Sequence, residues 1–374
     1  MSSDLSVASI SDIHWGHRNT PTRSILENLD TAFPDNDETG QLDIILMGGD
    51  QFDRLLPADD PDLELIKSWW NRFLRMCAKR NICVRVMRGT PSHDWRQNWL
   101  LAVEADHARI AVDVAFVDNL CIEYIQSLGI HVLYVPDEWR NNDTDATWKD
   151  VQSELTARGL TQVDFSIVHG CFTYQLPDHV TVPRHIPERY MEITRGYVLA
   201  AHVHKPSVYG QNLVVNGSFD RISHGEEEDK GHWRIRYNPT TGERSAQFQV
   251  NRNARLYVTV QCTGMPLEDA LATIRERVAT LPHEANVRIR AARTDPIANA
   301  LELMRKDYPT LKWSSKVDDV AQTQAKMLVD LRHTFHQVAI TPDNLVSLIT
   351  ERLRRKGLAP EHIERLQARL SEFV

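Results

Sequence analysis

Cysteine is scarce in this chain. There are 5 in 374 residues, an odd number, and none forms a CxxC pair. A disulfide framework or a zinc knuckle is therefore not expected, and a reducing cytoplasm fits best. Cys83 and Cys262 fall inside strand-like runs and read as small buried apolar residues. No stretch of about 18 apolar residues occurs, so no transmembrane helix is expected. Residues Met1 to Asp12 lack a basic region followed by an apolar run, so no secretory signal is read there. Basic residues are not in excess either: 43 Lys and Arg against 51 Asp and Glu leave a net charge of −8. That argues against coating nucleic acid by bulk electrostatics. It does not exclude a nuclease, because metal-binding carboxylates add negative charge and a basic partner could supply affinity for DNA. Internal repeats and low-complexity segments are also missing.

What is present is ordinary globular material, 42% hydrophobic and 25% charged. Its apolar runs share a pattern. Leu5 to Ile10 leads into Ser11-Asp12-Ile13-His14, and Leu42 to Met47 into Gly48-Gly49-Asp50. Ile82 to Met87 leads into Arg88-Gly89, Phe165 to Val168 into His169-Gly170, and Tyr197 to Ala200 ends near His202. Each reads as a buried strand whose C-terminal end carries chemically capable residues. Between the second and third, Leu63, Ile66, Trp70, Phe73, Leu74 and Cys77 recur at helical spacing after a Pro61-Asp62 start. Strand, helix, strand, with chemistry at the strand ends, predicts an α/β (α+β) fold. We read a two-sheet sandwich flanked by helices over residues 1–250. A small β-α-β-α-β unit follows over 251–317, and a helical segment over 318–374. In that last segment Thr341-Pro342-Asp343 suits a helix start and Gly357 a stop.

The polar residues at the strand ends form one set: Asp12, His14, Asp50, His93, Asp94, His169, His202 and His204. Imidazole mixed with carboxylate, without thiolate, suits Mn, Zn or Fe. Residues two apart in an extended segment point the same way, so Asp12 with His14, and His202 with His204, can each grip one ion. Asp50, on a glycine turn, could bridge two. Hydrolysing a phosphodiester at neutral pH needs a hydroxide nucleophile and neutralised phosphoryl oxygens, and two cations about 3.5–4 Å apart supply both. Singly, each motif is as well explained by a surface turn or a hydrogen-bonded core histidine; the ordered set of five is specific.

That order resembles the calcineurin-like metallophosphoesterase superfamily, whose pattern is DxH, GDxxD, GNHD, H and GHxH. The resemblance spans residues 6–230. It implies that Asp12, His14, Asp50 and His204 hold one ion and that Asp50, His169 and His202 hold the other. His93 would stabilise the transition state and protonate the leaving oxygen, with Asp94 orienting it, and Asp53 would support a ligand. Two departures stand out. Arg88-Gly89-Thr90-Pro91-Ser92-His93-Asp94 replaces Gly-Asn-His-Asp, which puts Ser92 at the Asn ligand position, and Ala201 replaces the Gly before His202.

A narrower match follows. Asn216-Gly217-Ser218-Phe219-Asp220-Arg221, then Gly225-Glu226-Glu227 and Lys230-Gly231, is similar to the segment after GHxH in SbcD-type DNA-break-processing nucleases. The resemblance implies a metal-dependent DNA exonuclease and endonuclease of recombination and repair. It implies two divalent ions, Mn2+ first, with Mg2+, Zn2+ or Fe2+ as alternatives. It further implies a capping domain and C-terminal helices that clasp the coiled coil of an SMC-like, SbcC-type ATPase. The expected partners are DNA and that ATPase, with a homodimer left open and no membrane. The expected setting is the cytoplasm of a bacterial or phage-infected cell.

The remaining features have plainer readings. His17 and Arg18 could touch DNA phosphate or form a solvated loop. Trp69, Trp70 and Trp95 read as core or helix-packing residues, and Glu226 to Asp229 as an exposed acidic loop. Arg352, Arg354, Arg355 and Lys356 form a basic run that reads as a solvated face or as a partner or DNA contact. Two rivals to the nuclease stand: a phosphatase or phosphodiesterase acting on small molecules or phosphoproteins, and a non-catalytic DNA-binding scaffold whose site has decayed. Fold alone does not choose among them.

Overall fold

The computed structural model describes residues 4–177, 180–318 and 350. In chain order the elements are β1 (Leu5–Ile10), α1 (Thr22–Ala32), β2 (Ile44–Met47), α2 (Pro61–Arg80), β3 (Cys83–Met87), α3 (Pro91–Asp94) and α4 (Asn98–His107). Next come β4 (Val114–Val117), β5 (Cys121–Ile125), β6 (Ile130–Val135), α5 (Thr144–Ala157), β7 (Phe165–His169), α6 (Pro187–Glu192) and β8 (Val198–Ala201). The chain continues through β9 (Ser207–Tyr209), β10 (Leu213–Val215), β11 (Gly231–Tyr237) and β12 (Arg244–Val250). It then forms β13 (Tyr257–Gln261), α7 (Leu267–Val278), β14 (Asn286–Ala292), α8 (Leu301–Asp307) and β15 (Lys312–Asp318).

Two six-stranded mixed sheets, ordered β12-β11-β1-β2-β3-β4 and β5-β6-β7-β8-β10-β9, make the expected sandwich. Their central strands are buried on both faces, which is why they read in sequence as continuous apolar runs rather than as alternation. In β1, Leu5 and Val7 join the layer between the sheets, with Ile44, Leu46, Val132, Tyr134, Phe165 and Leu199. Ala8 and Ile10 turn the other way, into a layer shared with Ile25 and Leu29 of α1 and Ile66, Trp70, Phe73 and Leu74 of α2. Val151, Leu155 and Tyr190 of α5 and α6 cover the outer face of the second sheet.

The long helix α2 shows why its boundaries were readable. The Asp60 carboxylate caps it by accepting from Asp62 N at 3.0 Å, Pro61 fills the first turn, and Asn81 ends it in a left-handed conformation at φ 57°. Trp69 and Trp70 are buried in the layer beneath it.

Strands β13, β14 and β15 form a separate three-stranded sheet. Val258, Ile274, Val287, Ile289, Met304 and Trp313 make its own core. Residues Met1–Val317 make one compact unit. Residues 318 and 350 apart, the segment expected to be helical over 318–374, with the basic run at 352–356, lies outside the described residues. No helix among the described residues is long and apolar enough to cross a membrane.

Candidate metal centre

The parallel strands β1, β2 and β3 of one sheet and β6, β7 and β8 of the other supply the site from their C-terminal ends. Asp12 and His14 follow β1, Asp50 follows β2, Thr90 to Asp94 follow β3, His169 ends β7, and His202 and His204 follow β8. A crevice at the carboxyl ends of parallel strands is where open α/β folds place ligands. Backbone hydrogen bonds lock the first two loops together: Asp12 N donates to Gly49 O at 3.0 Å, and Ile13 N and His14 N donate to Asp50 O at 2.9 and 3.1 Å.

Four of these residues hold left-handed backbone, with φ 50° at Asp12, 56° at His14, 51° at Asp50 and 85° at His202. Such conformations are disfavoured for residues with a Cβ and gather at functional sites. The glycines between them are there for space. A Cβ on Gly89 would come within 2.2 Å of Asp50 N and of its Oδ1, and one on Gly49 within 2.5 Å of His169 Nδ1.

Three groups of ligand atoms draw close enough to hold a metal ion: Asp12 with His14 and His204, Asp50 with His169 and His202, and His14 with Asp53 and His93. The ring nitrogens face one another, with His14 Nε2 3.1 Å from His204 Nε2. His169 Nε2 lies 3.4 Å from Asp50 Oδ2. The donor chemistry, imidazole and carboxylate buried together, fits a divalent transition metal.

Hydrogen bonds behind the rings fix their orientation. His169 Nδ1 donates to Gly48 O at 2.8 Å, which leaves Nε2 for Asp50. His93 Nδ1 donates to Asp53 O at 2.8 Å. His14 Nδ1 lies 3.3 Å from Asp53 Oδ1. His202 N donates to both Asp12 oxygens, at 3.1 and 3.2 Å.

The charges are strongly coupled. Burial disfavours an ionised Asp50, yet His169, by charge and hydrogen bond, with His14 and His93 beyond it, holds that carboxyl well below its usual range. Burial would lower the His169 imidazole, but Asp50, Asp12 and Asp137 hold it well above. Burial and the neighbouring His169 lower His202. His204 is raised despite burial, by Glu226 and Asp12.

Asp94 plays a different part from the one expected. It is fully buried, and its carboxylate accepts from Gly89 N at 2.7 Å and from Asp50 N and Phe52 N at 3.1 Å each. It staples the β2 and β3 loops together, and the Asp53 carbonyl, not Asp94, orients His93. Burial and Asp50 push its carboxyl up to about 6.

The structure does not bring Ser92 into either cluster. The lengthened loop closes into α3, with Pro91 in its first turn, and Ser92 is exposed on it. Thr90, the residue before the helix, stands in the second cluster, its Oγ1 3.4 Å from His169 Nε2 and 3.4 Å from His202 Nδ1. Trp95, expected in the core, is 54% exposed. The chain turns left-handed at Trp95 and Arg96, with φ 46° and 60°, and this carries the indole out of the packed layer.

Glu226 corrects the reading of its segment as an exposed loop. It is buried, accepts from His204 Nδ1 at 3.1 Å and Ser223 Oγ at 2.8 Å, and lies 3.1 Å from Lys230 Nζ. Burial works against its ionisation, yet His204 and Lys230 bring its carboxyl down to about 2. Lys230, itself fully buried, donates to His204 O at 2.8 Å. Glu227 and Asp229 are exposed as expected. Asp137, which no motif singles out, is buried just past β6, with Oδ2 3.6 Å from His202 Nδ1.

No protein-family model matches the chain, and no curated protein matches it. Among solved structures, TT1561 of Thermus thermophilus is 11% identical, over 66% of this chain and 99% of that one, with a TM-score of 0.38. GAP50, the anchor in the inner membrane complex of Plasmodium, is 13% identical over 75% of this chain and 95% of that one, with a TM-score of 0.34. Likenesses this distant assign neither a family nor an activity to the chain.

Proposed function

We propose that the chain is a metal-dependent phosphoesterase that cleaves phosphodiester bonds in DNA, using two divalent ions, Mn2+ first among them. One observation carries this reading: two ligand clusters, Asp12–His14–His204 and Asp50–His169–His202, meet at one rim of the sandwich, with His93 beside His14 at a ring-centroid distance of 5.0 Å. Ions held there would neutralise phosphoryl charge and activate water for attack. The chain's own part is to position and to move protons. Asp50, lowered in pKa, stays anionic. Gly48 and Glu226 aim the rings of His169 and His204. His93, its Nδ1 engaged by the Asp53 carbonyl, presents Nε2 as the proton donor to the leaving oxygen.

DNA as substrate, and an SMC-like ATPase as partner, rest on the likeness of residues 216–231 to SbcD-type nucleases. In this chain that segment is folded onto the site, where Ser218 N donates to His204 O at 3.1 Å and Phe219 N to Asp12 O at 3.3 Å. The test is Mn2+-dependent digestion of linear duplex DNA beside a chromogenic small phosphodiester. Cleavage of the small ester alone refutes the choice of DNA, and cleavage of neither refutes the enzyme. A chain ending at Val317 that still captures the ATPase would refute the clasp.

A further inference from the structure

The second cluster contains more than Asp50, His169 and His202. The Thr90 hydroxyl stands among them, 3.2 Å from Asp50 Oδ2 and 3.4 Å from each imidazole. That same hydroxyl donates to Asp137 Oδ2 at 2.9 Å. Asp137 is brought there by β6, the neighbour of the strand that carries His169. It is buried, and among the described residues no lysine or arginine pairs with it; its one ion-pair partner is His202. A buried carboxylate that has a hydroxyl and imidazoles for neighbours, and no lysine or arginine paired with it, is well placed to serve a bound cation.

We infer that Thr90 and Asp137 act as a pair that completes the second ion's coordination. The Thr90 oxygen would serve as a ligand, and Asp137, which accepts its hydrogen, would position it. An alcohol alone is a weak neutral ligand. With its hydrogen donated to Asp137 Oδ2, the Thr90 oxygen would keep its lone pairs free for a cation. The resemblance expects an amide carbonyl from this loop, at the position of Ser92. The pair supplies instead an alcohol oxygen backed by one more negative charge, a set suited to oxygen-preferring ions such as Mn2+ and Mg2+. This inference rests on the metal reading of the site and not on DNA as substrate.

The test is Mn2+ titration of the full chain by calorimetry, with bound ions counted by electron paramagnetic resonance and folding checked by metal-free melting. Thr90→Val keeps the shape and removes the hydroxyl. Asp137→Asn keeps the shape and removes the charge. Each is expected to weaken the second ion about 10–100-fold, the scale for partners that orient a metal ligand, while the Asp12–His14–His204 ion keeps its affinity. Thr90→Ser, which restores the hydroxyl, is expected to bind both ions as the parent does. In the double variant Thr90→Val with Asp137→Asn, the losses should not add, because one residue acts through the other. Two ions at parental affinity in both single variants overturn the pair. A parent chain that binds no divalent ion overturns this inference together with the metal reading. Two bound ions without DNA cleavage leave the pair standing and count against the proposed activity alone.

Discussion

His169 and Asp50 reach each other across the sandwich: one ends a strand of the second sheet, the other follows a strand of the first, and Nε2 lies 3.4 Å from Oδ2. The pair ties the two sheets together at their chemical end. Asp50 also bears electrostatically on His14 and His93 of the neighbouring groups. Asp50→Ala is therefore expected to abolish the ion of its own cluster and to weaken the other. Counting bound Mn2+ by anomalous scattering or calorimetry checks this; an unchanged two-ion stoichiometry refutes the bridging role.

His93 separates chemistry from binding. His93→Ala should keep both ions and DNA affinity while losing about 10²–10⁴-fold in rate, the usual worth of a general acid. The structure sharpens the alternative, because His93 also groups with His14 and Asp53 within ligand distance. Loss of an ion in this variant would make His93 a ligand.

Glu226 is the strongest support behind His204. Glu226→Gln keeps the shape but removes the charge that holds the imidazole, so the ion at Asp12, His14 and His204 should bind about 10–100-fold more weakly. The ion at Asp50, His169 and His202 should be unaffected. Equal loss at both clusters, or at neither, contradicts this arrangement in a two-site Mn2+ titration.

His232 predicts an acid limit away from the metal site. Burial, then the charge of Arg234, lower its pKa from the ordinary 6.5 to about 3. Its Nε2 accepts from Arg234 Nε at 3.0 Å. The folded pKa is depressed, so the unfolded chain takes up the proton first. Stability from the neutral ring is whole above pH 6.5 and is lost as pH falls from there towards 3. His232→Gln should flatten the slope of urea stability against pH in that window by up to about one proton. An unchanged slope would show that His232 does not titrate as described.

Much of this site was legible because a strand buried on both faces advertises itself as an apolar run, and its exit is where the chemistry falls. Asp12, His14, Asp50, His169, His202 and His204 were found that way, and the structure gathers them into two groups. Ser92 was placed by counting back from His93, and counting fails where two extra residues close a turn of helix. Thr90 and Asp137 meet across 47 residues, a pairing that no local motif announces. Yet Asp137 follows an apolar strand, Ile130–Val135, so the rule that located the histidines reaches it too. Glu226 was hidden by its acidic neighbours, since composition does not say which carboxylate of a run turns inward.

The left-handed backbone at Asp12, His14, Asp50 and His202 has a consequence for how this protein changes over time. Glycine would relax each position, by roughly 1 kcal/mol or more, and would delete a candidate ligand in the same step. Heat tolerance and chemistry thus pull these four codons in opposite directions. A population selected only for thermal persistence should lose its histidines and aspartates at the rim before it alters the apolar layers underneath.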